Sequence, residues 1–132
     1  MSLLLLDTTF LIDAERGDAT LDDAIDDDDD VALAAVTVAE LLVGVRLASG
    51  KRRNTRQIYV EEILKSLPII AYDRSVAVEH AELLVAVRAQ GRPRGAHDLL
   101  IAATARATDR TIVTGDQEAF TDLPGVATLI HR

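Results

Sequence analysis

Five short apolar runs, separated by longer segments in which apolar residues recur at helical spacing, limit what this chain can fold into. The runs are Leu3 to Leu6, Val31 to Val36, Leu67 to Ala71, Thr111 to Thr114 and Val126 to Ile130. Each lacks the polar alternation of a half-exposed strand, so each reads as a brief strand buried on both faces. The intervening segments read as helices: Thr9 to Glu15, a short piece near Ala19 to Ile25, Val38 to Ala48, Arg53 to Lys65, Val76 to Gln90 and Asp98 to Thr108. Strands alternating with helices imply right-handed crossovers, and hence a parallel α/β sheet covered by helices on both sides. The last helix is apolar almost all round, from Leu99 and Ile101 to Ala105, and is expected to pack centrally. With no repeat, Pro/Ser linker or shift in composition, residues 1–132 are expected to form one domain.

Composition narrows the chemistry. The chain has no cysteine, which removes a disulfide framework, a zinc-thiolate site and a thiol nucleophile together. There are 14 Lys and Arg against 22 Asp and Glu, a formal net charge of −8. That sign argues against nonspecific wrapping of nucleic acid but allows a local basic patch. Basic residues do cluster, at Lys51, Arg52, Arg53 and Arg56 and again at Arg88, Arg92 and Arg94. The acids crowd at Asp22, Asp23 and Asp26 to Asp30, a run that reads as a solvated loop whose adjacent carboxylates repel and do not converge on one ion. The initial leucines lack a basic flank and stop at Asp7, and no later apolar stretch approaches the ~20 residues of a membrane span. The expectation is a soluble cytoplasmic protein with no membrane partner.

In an open parallel sheet, ligands bind outside the carboxyl ends of the strands. Four acids belong to that edge. Asp7 ends the first strand, Glu40 lies in the first turn of the helix after the second, and Asp116 follows Thr111 to Thr114 just past Gly115. Asp98 opens the apolar helix that returns through the short turn Asp109-Arg110, so that helix starts at the same edge. Each acid alone has a structural explanation. Thr37-Val38-Ala39-Glu40 and Thr114-Gly115-Asp116-Gln117 fit capping boxes, while Asp7 and Asp98 suit helix amino ends. Together, however, converging carboxylates cost several kcal/mol, on the order of what a partly desolvated like-charge pair costs, unless a cation neutralises them. No Lys or Arg is adjacent to any of the four in sequence. Oxygen-only ligands favour Mg²⁺ or Mn²⁺ over zinc.

The stretches LLLLDTTFLID, TVAELLVGV, HDLLIAATA and IVTGDQEAF, in this order and spacing, make the chain resemble the PIN domain family, and most of all its VapC-type toxin ribonucleases. The resemblance spans nearly the whole chain and implies a PIN-like three-layer sandwich. It implies that Asp7, Glu40, Asp98 and Asp116 form an acidic catalytic quartet, with Asp7 and Asp98 the direct metal ligands and Glu40 and Asp116 acting through water. Thr8 and Thr114 fall where the family carries small hydroxyl residues that support the site. The implied activity is a Mg²⁺- or Mn²⁺-dependent endoribonuclease, the toxin of a toxin–antitoxin pair, in which a metal-activated water attacks the phosphodiester and leaves 5′-phosphate and 3′-hydroxyl ends. Thr9 stands where serine is frequent, a conservative change; Gly115 replaces a larger and sometimes basic residue.

His97 adjoins Asp98 and reads as a surface or supporting residue rather than a general base; His80 and His131 carry no signal. Arg53, Arg56, Arg92 and Arg94 are candidate contacts to flanking RNA backbone, or simply solvate helix ends and the Gly-Arg-Pro-Arg-Gly turn. Leu41, Leu42, Val45, Ile58, Tyr59 and Ile63 exceed what one sheet face needs, and read as extra core or as a groove for an antitoxin segment. The resemblance also implies a homodimer. Two other readings stay open: a PIN-fold RNA- or protein-binding module without nuclease activity, and a phosphotransfer domain of the haloacid-dehalogenase or receiver kind. The latter lacks its second acid, since Thr9 stands two residues after Asp7.

Overall fold

The computed structural model describes residues 1–17 and 25–131. Five strands, β1 (Leu3–Leu6), β2 (Asp30–Ala34), β3 (Ile69–Ile70), β4 (Thr111–Thr114) and β5 (Thr128–Ile130), form one sheet in the order β3-β2-β1-β4-β5. Every pairing is parallel. The helices are α1 (Thr8–Glu15), α2 (Ala35–Leu47), α3 (Gly50–Ser66), α4 (Arg74–Gln90) and α5 (Ala96–Ala107). The short helix expected near Ala19 to Ile25 falls outside the described residues, save Ile25.

The leucine run is the central strand, flanked by β2 and β4 with Leu5 opposite Ala32 and Ile112. Because successive side chains point to opposite faces, the run serves two cores at once. Leu5 joins Leu83 of α4 and Leu99, Ile101 and Ala102 of α5. Leu4 and Leu6 join Phe10 and Leu11 of α1, Leu41 and Val45 of α2, and Val60 and Ile63 of α3. The result is three layers, with the sheet in the middle.

Burial on both faces holds for β1, β2 and β4 but not for the edge strands: Ile69, Leu129 and Ile130 are exposed. An edge strand has one neighbour, and β3 is only two residues long after Pro68. The strand expected to reach Val36 ends at Ala34, and α2 starts without a linker. An unbroken apolar run does not show where a strand becomes a helix.

The return from α5 to β4 is tight. Asp109 adopts a left-handed backbone, φ 54°, and Arg110 N–H closes onto the Ala105 carbonyl at 2.9 Å. Helix α5 therefore runs antiparallel to β4 and begins at the sheet's carboxyl edge. At the opposite edge the Arg110 guanidinium donates to the carbonyls of Leu4 and Asp30 and pairs with the Asp30 carboxylate at 2.9 Å, tying β1 and β2 together.

Candidate active site

Asp7 is delivered by the rigid central strand and caps α1. Its Oδ1 accepts from the Thr8 backbone N–H at 2.8 Å. Its Oδ2 accepts from two hydroxyls, Thr9 at 2.8 Å and Thr114 at 2.7 Å. A threonine has one hydroxyl proton. With both protons committed to Asp7, the two oxygens serve as acceptors: Thr9 for Gly115 N–H at 3.2 Å and Thr114 for Asp116 N–H at 3.0 Å. A chain of hydrogen bonds thus ties the end of β1 to the loop after β4. Asp7 is only 3 % exposed, and burial raises its carboxyl pKa, opposed by the bonds from Thr114, Thr9 and Thr8.

Asp98 lies in the first turn of α5, half-buried. Gly95 leaves it room: a Cβ there would stand 3.0 Å from the Asp98 Oδ2. Among the described residues its carboxylate has no hydrogen bond and no ion pair. Burial, and then the charges of Asp7, Asp116 and Glu40, push its pKa up to about 6, with His97 pulling the other way. Each of the other three acids therefore acts on Asp98, and the four share one edge of the sheet.

Glu40 sits in the second turn of α2, because the helix starts at Ala35 rather than after Thr37. The capping box expected there is absent; Thr37 is inside the helix and fully buried. Glu40 instead accepts from Thr8 Oγ1 at 2.8 Å through Oε1, while its Oε2 lies 3.3 Å from His97 Nδ1. The second capping box also fails, since turns rather than a helix follow β4. Asp116 is the capping residue there, its Oδ1 accepting from Glu118 N–H at 2.9 Å and Ala119 N–H at 3.2 Å.

Known proteins resemble this chain in sequence and fold. The sequence profile of the PIN domain matches residues 4–126. The chain belongs to the PIN domain family. It is 34 % identical over 128 residues to Toxin FitB of Neisseria gonorrhoeae, covering 89 % of this chain and 91 % of that protein. It is 29 % identical over 98 residues to the tRNA(fMet)-specific endonuclease VapC of Shigella flexneri, covering 74 % and 73 %. The crystal structure of VapBC-5 of Mycobacterium tuberculosis, from the VapBC family of toxin-antitoxin systems, superposes with a TM-score of 0.79 at 32 % identity over 100 % of this chain and 99 % of that one. Family membership sets aside the phosphotransfer reading.

Within this PIN domain one supporting residue, Thr9, escaped the sequence, and a neighbour of the loop, Asp13, did too. Thr9 touches Asp7, Thr114 and Gly115, although nothing in a Ser-to-Thr departure signals that. Asp13, one turn further along α1, puts its carboxylate beside the loop: a Cβ on Gly115 would meet Asp13 Oδ2 at 2.5 Å. The small residue at 115 was the available signal, because it leaves room for the Asp13 carboxylate.

The four candidate arginines differ in their surroundings. Arg56 grips Glu15 with two nitrogens, Nε at 3.1 Å and Nη2 at 2.9 Å, and is largely buried. Arg53 donates to the carbonyls of Ala48 at 2.7 Å and Arg46 at 2.9 Å, closing the carboxyl end of α2. Each spends its Nε and Nη2 on the protein itself, and Arg53 stays exposed. Arg92 pairs with Asp122 at 3.0 Å on an exposed surface, and the two terminal nitrogens of Arg94 are buried without a partner among the described residues.

The Asp26 to Asp30 run also departs from expectation. Among the described residues, Asp26, Asp28 and Asp29 are the one trio of potential ligands whose oxygen atoms lie within 4.8 Å of one another. Backbone donors hold the cluster: Asp29 accepts from Ser2 N–H at 2.8 Å and Asp26 N–H at 2.9 Å, which lowers its pKa, and the Met1 ammonium is 3.4 Å from Asp28. No three members of the quartet are so tightly gathered. Among the described residues no helix is long and apolar enough to cross a membrane.

Proposed function

We propose that this PIN domain is a divalent-metal-dependent endoribonuclease and the toxin of a toxin–antitoxin pair. The observation that carries the reading is Asp98: a half-buried carboxylate surrounded by Asp7, Glu40 and Asp116, with no Lys or Arg paired to it among the described residues. Such a group calls for a cation. The donor set fits a hard one, because it consists of oxygen atoms alone and Asp7 Oδ1 keeps an acceptor site after its single backbone bond. Asp7 and Asp98 would hold Mg²⁺ or Mn²⁺, with Glu40 and Asp116 assisting through water. When bound, the ion polarises the scissile phosphate and lowers the pKa of the attacking water. Thr9 and Thr114 fix the Asp7 carboxylate, and Thr8 fixes Glu40, so the ligands are oriented before substrate arrives. In-line attack then leaves 5′-phosphate and 3′-hydroxyl ends, in the cytoplasm.

The relatives support the partners: one is named a toxin, one a tRNA endonuclease, and one structure comes from a toxin-antitoxin system. Leu41, Val45 and Ile63 prove to be core, whereas Leu42 and Ile58 remain exposed. A groove of about 410 Å³ between α2 and α3 is lined by apolar Leu42, Val45, Val60 and Leu64 and by Arg46, Arg53, Gln57 and Glu61, which suits an apolar antitoxin segment. A second exposed apolar pair, Val78 and Val85 on one face of α4, suits a homodimer. Arg92, half-exposed on the loop before α5, remains the candidate for RNA backbone.

The test is cleavage of total cellular RNA by wild type and Asp98→Ala with and without Mg²⁺. Cleavage by the wild type alone, and only with the metal, is expected. Equal behaviour of the two proteins, or no cleavage by either, supports the alternative of a PIN-fold binding module.

A further inference from the structure

Glu40 has side chains from two other elements at its two carboxylate oxygens, a hydrogen bond on one and an ion-pair contact on the other. Thr8 Oγ1 donates to Oε1 at 2.8 Å, and His97 Nδ1 stands 3.3 Å from Oε2. The two contacts come from the residue after Asp7 and the residue before Asp98, so the elements that deliver the two proposed direct ligands also aim the third acid. We propose that His97 is a positioning residue, holding the Glu40 carboxylate so that its remaining acceptor sites serve the ion carried by Asp7 and Asp98. The inference rests on the metal-dependent reading above.

Three observations favour this role over an incidental surface contact. Among the described residues, His97 is the only basic side chain within ion-pair distance of any of the four acids. Its side chain is 59 % exposed, so core packing does not require the ring at that place, while the Glu40 side chain it touches is 27 % exposed. A carboxylate offers about four acceptor sites; Thr8 takes one on Oε1, and His97, 3.3 Å from Oε2, is placed to take one there, which leaves one on each oxygen for the water shell of an ion. Without His97, Glu40 would keep only the Thr8 bond and could turn about it.

The experiment measures Mn²⁺ binding by electron paramagnetic resonance and Mg²⁺-dependent cleavage of a defined RNA oligonucleotide. The variants are His97→Ala, His97→Asn, Glu40→Gln and the double variant Glu40→Gln/His97→Ala. Loss of an outer-shell partner costs at the low end about tenfold in metal affinity or activity. His97→Ala should therefore weaken Mn²⁺ binding and lower kcat by about tenfold each, with KM for RNA unchanged. His97→Asn, whose amide nitrogen replaces Nδ1, should restore most of both. In the Glu40→Gln background, His97→Ala should change Mn²⁺ binding little, because the residues act as one unit. Wild-type Mn²⁺ affinity in His97→Ala, an Asn variant as weak as Ala, or losses that multiply in the double variant would each overturn the proposal. A wild-type protein that binds Mn²⁺ and leaves RNA intact would instead overturn the nuclease reading, while the Mn²⁺ measurements still decide the role of His97.

Discussion

Asp98→Asn should make the metal-free protein more stable, although it removes a residue the proposed chemistry depends on. Folding raises the Asp98 pKa from 3.8 to about 6, chiefly by burial and then by the charges of Asp7, Asp116 and Glu40. An acid shifted this way favours the folded state fully below pH 3.8, and that contribution is lost as the pH rises through about 6. At pH 7.5 the ionised group is therefore a liability. At about 1.4 kcal/mol per pKa unit, a shift of roughly two units has an upper bound of about 3 kcal/mol. The side chain is only half-buried, so solvent screening reduces this to about 1–2 kcal/mol. For a chain of this size that is a rise in Tm of about 3–8 °C. Urea unfolding in EDTA at pH 7.5 reads the difference directly. It should shrink by about half at pH 5, where the folded wild type has largely taken up the proton, and close or reverse when Mg²⁺ is added, since only the wild type gains from the ion. An Asn variant less stable than wild type in EDTA, or a gap indifferent to pH and Mg²⁺, refutes the reasoning.

Other substitutions probe the supporting shell and the partner surfaces. Thr114→Val leaves Asp7 without one of its two hydroxyl donors and frees the Asp116 N–H; a loss of about 1.5–3 kcal/mol in urea unfolding is expected, as for a hydrogen bond to a charged group. Gly115→Ala drives a methyl against Asp13 Oδ2, so cleavage activity should fall, and Asp13→Ala in the same chain should recover it; failure to recover would place the defect elsewhere. Val85→Glu on the exposed face of α4 should convert a dimer to a monomer in light scattering, and a wild type already monomeric at micromolar concentration removes the dimer.

Residues whose role is set by their own strand were readable from the chain. Leu3–Leu6 and Thr111–Thr114 have the bounds expected, because each is a short apolar run closed by a polar residue that leaves the core. Asp7 and Asp98 followed, one from the end of a strand and the other from a helix obliged to run back to β4. What failed depends on partners distant in sequence. Glu40 looked like part of a local capping box, yet its contacts are Thr8 and His97, on α1 and α5. Arg56 looked free for RNA because Glu15, 41 residues away, is invisible to local composition. Thr9 was passed over because a hydroxyl's value lies in where its single proton goes. The acid run was expected to splay apart, and only the donors at Ser2, Asp26 and Met1 explain how three of its carboxylates gather.

That second acidic cluster sharpens the decisive measurement, because the molecule offers a divalent ion two addresses. Anomalous diffraction from crystals soaked in Mn²⁺ locates the ion without reference to activity. The account predicts a peak shared by Asp7 and Asp98, lost in Asp98→Asn. A peak confined to Asp26, Asp28 and Asp29, or one between Asp7 and Asp98 that survives the substitution, contradicts it.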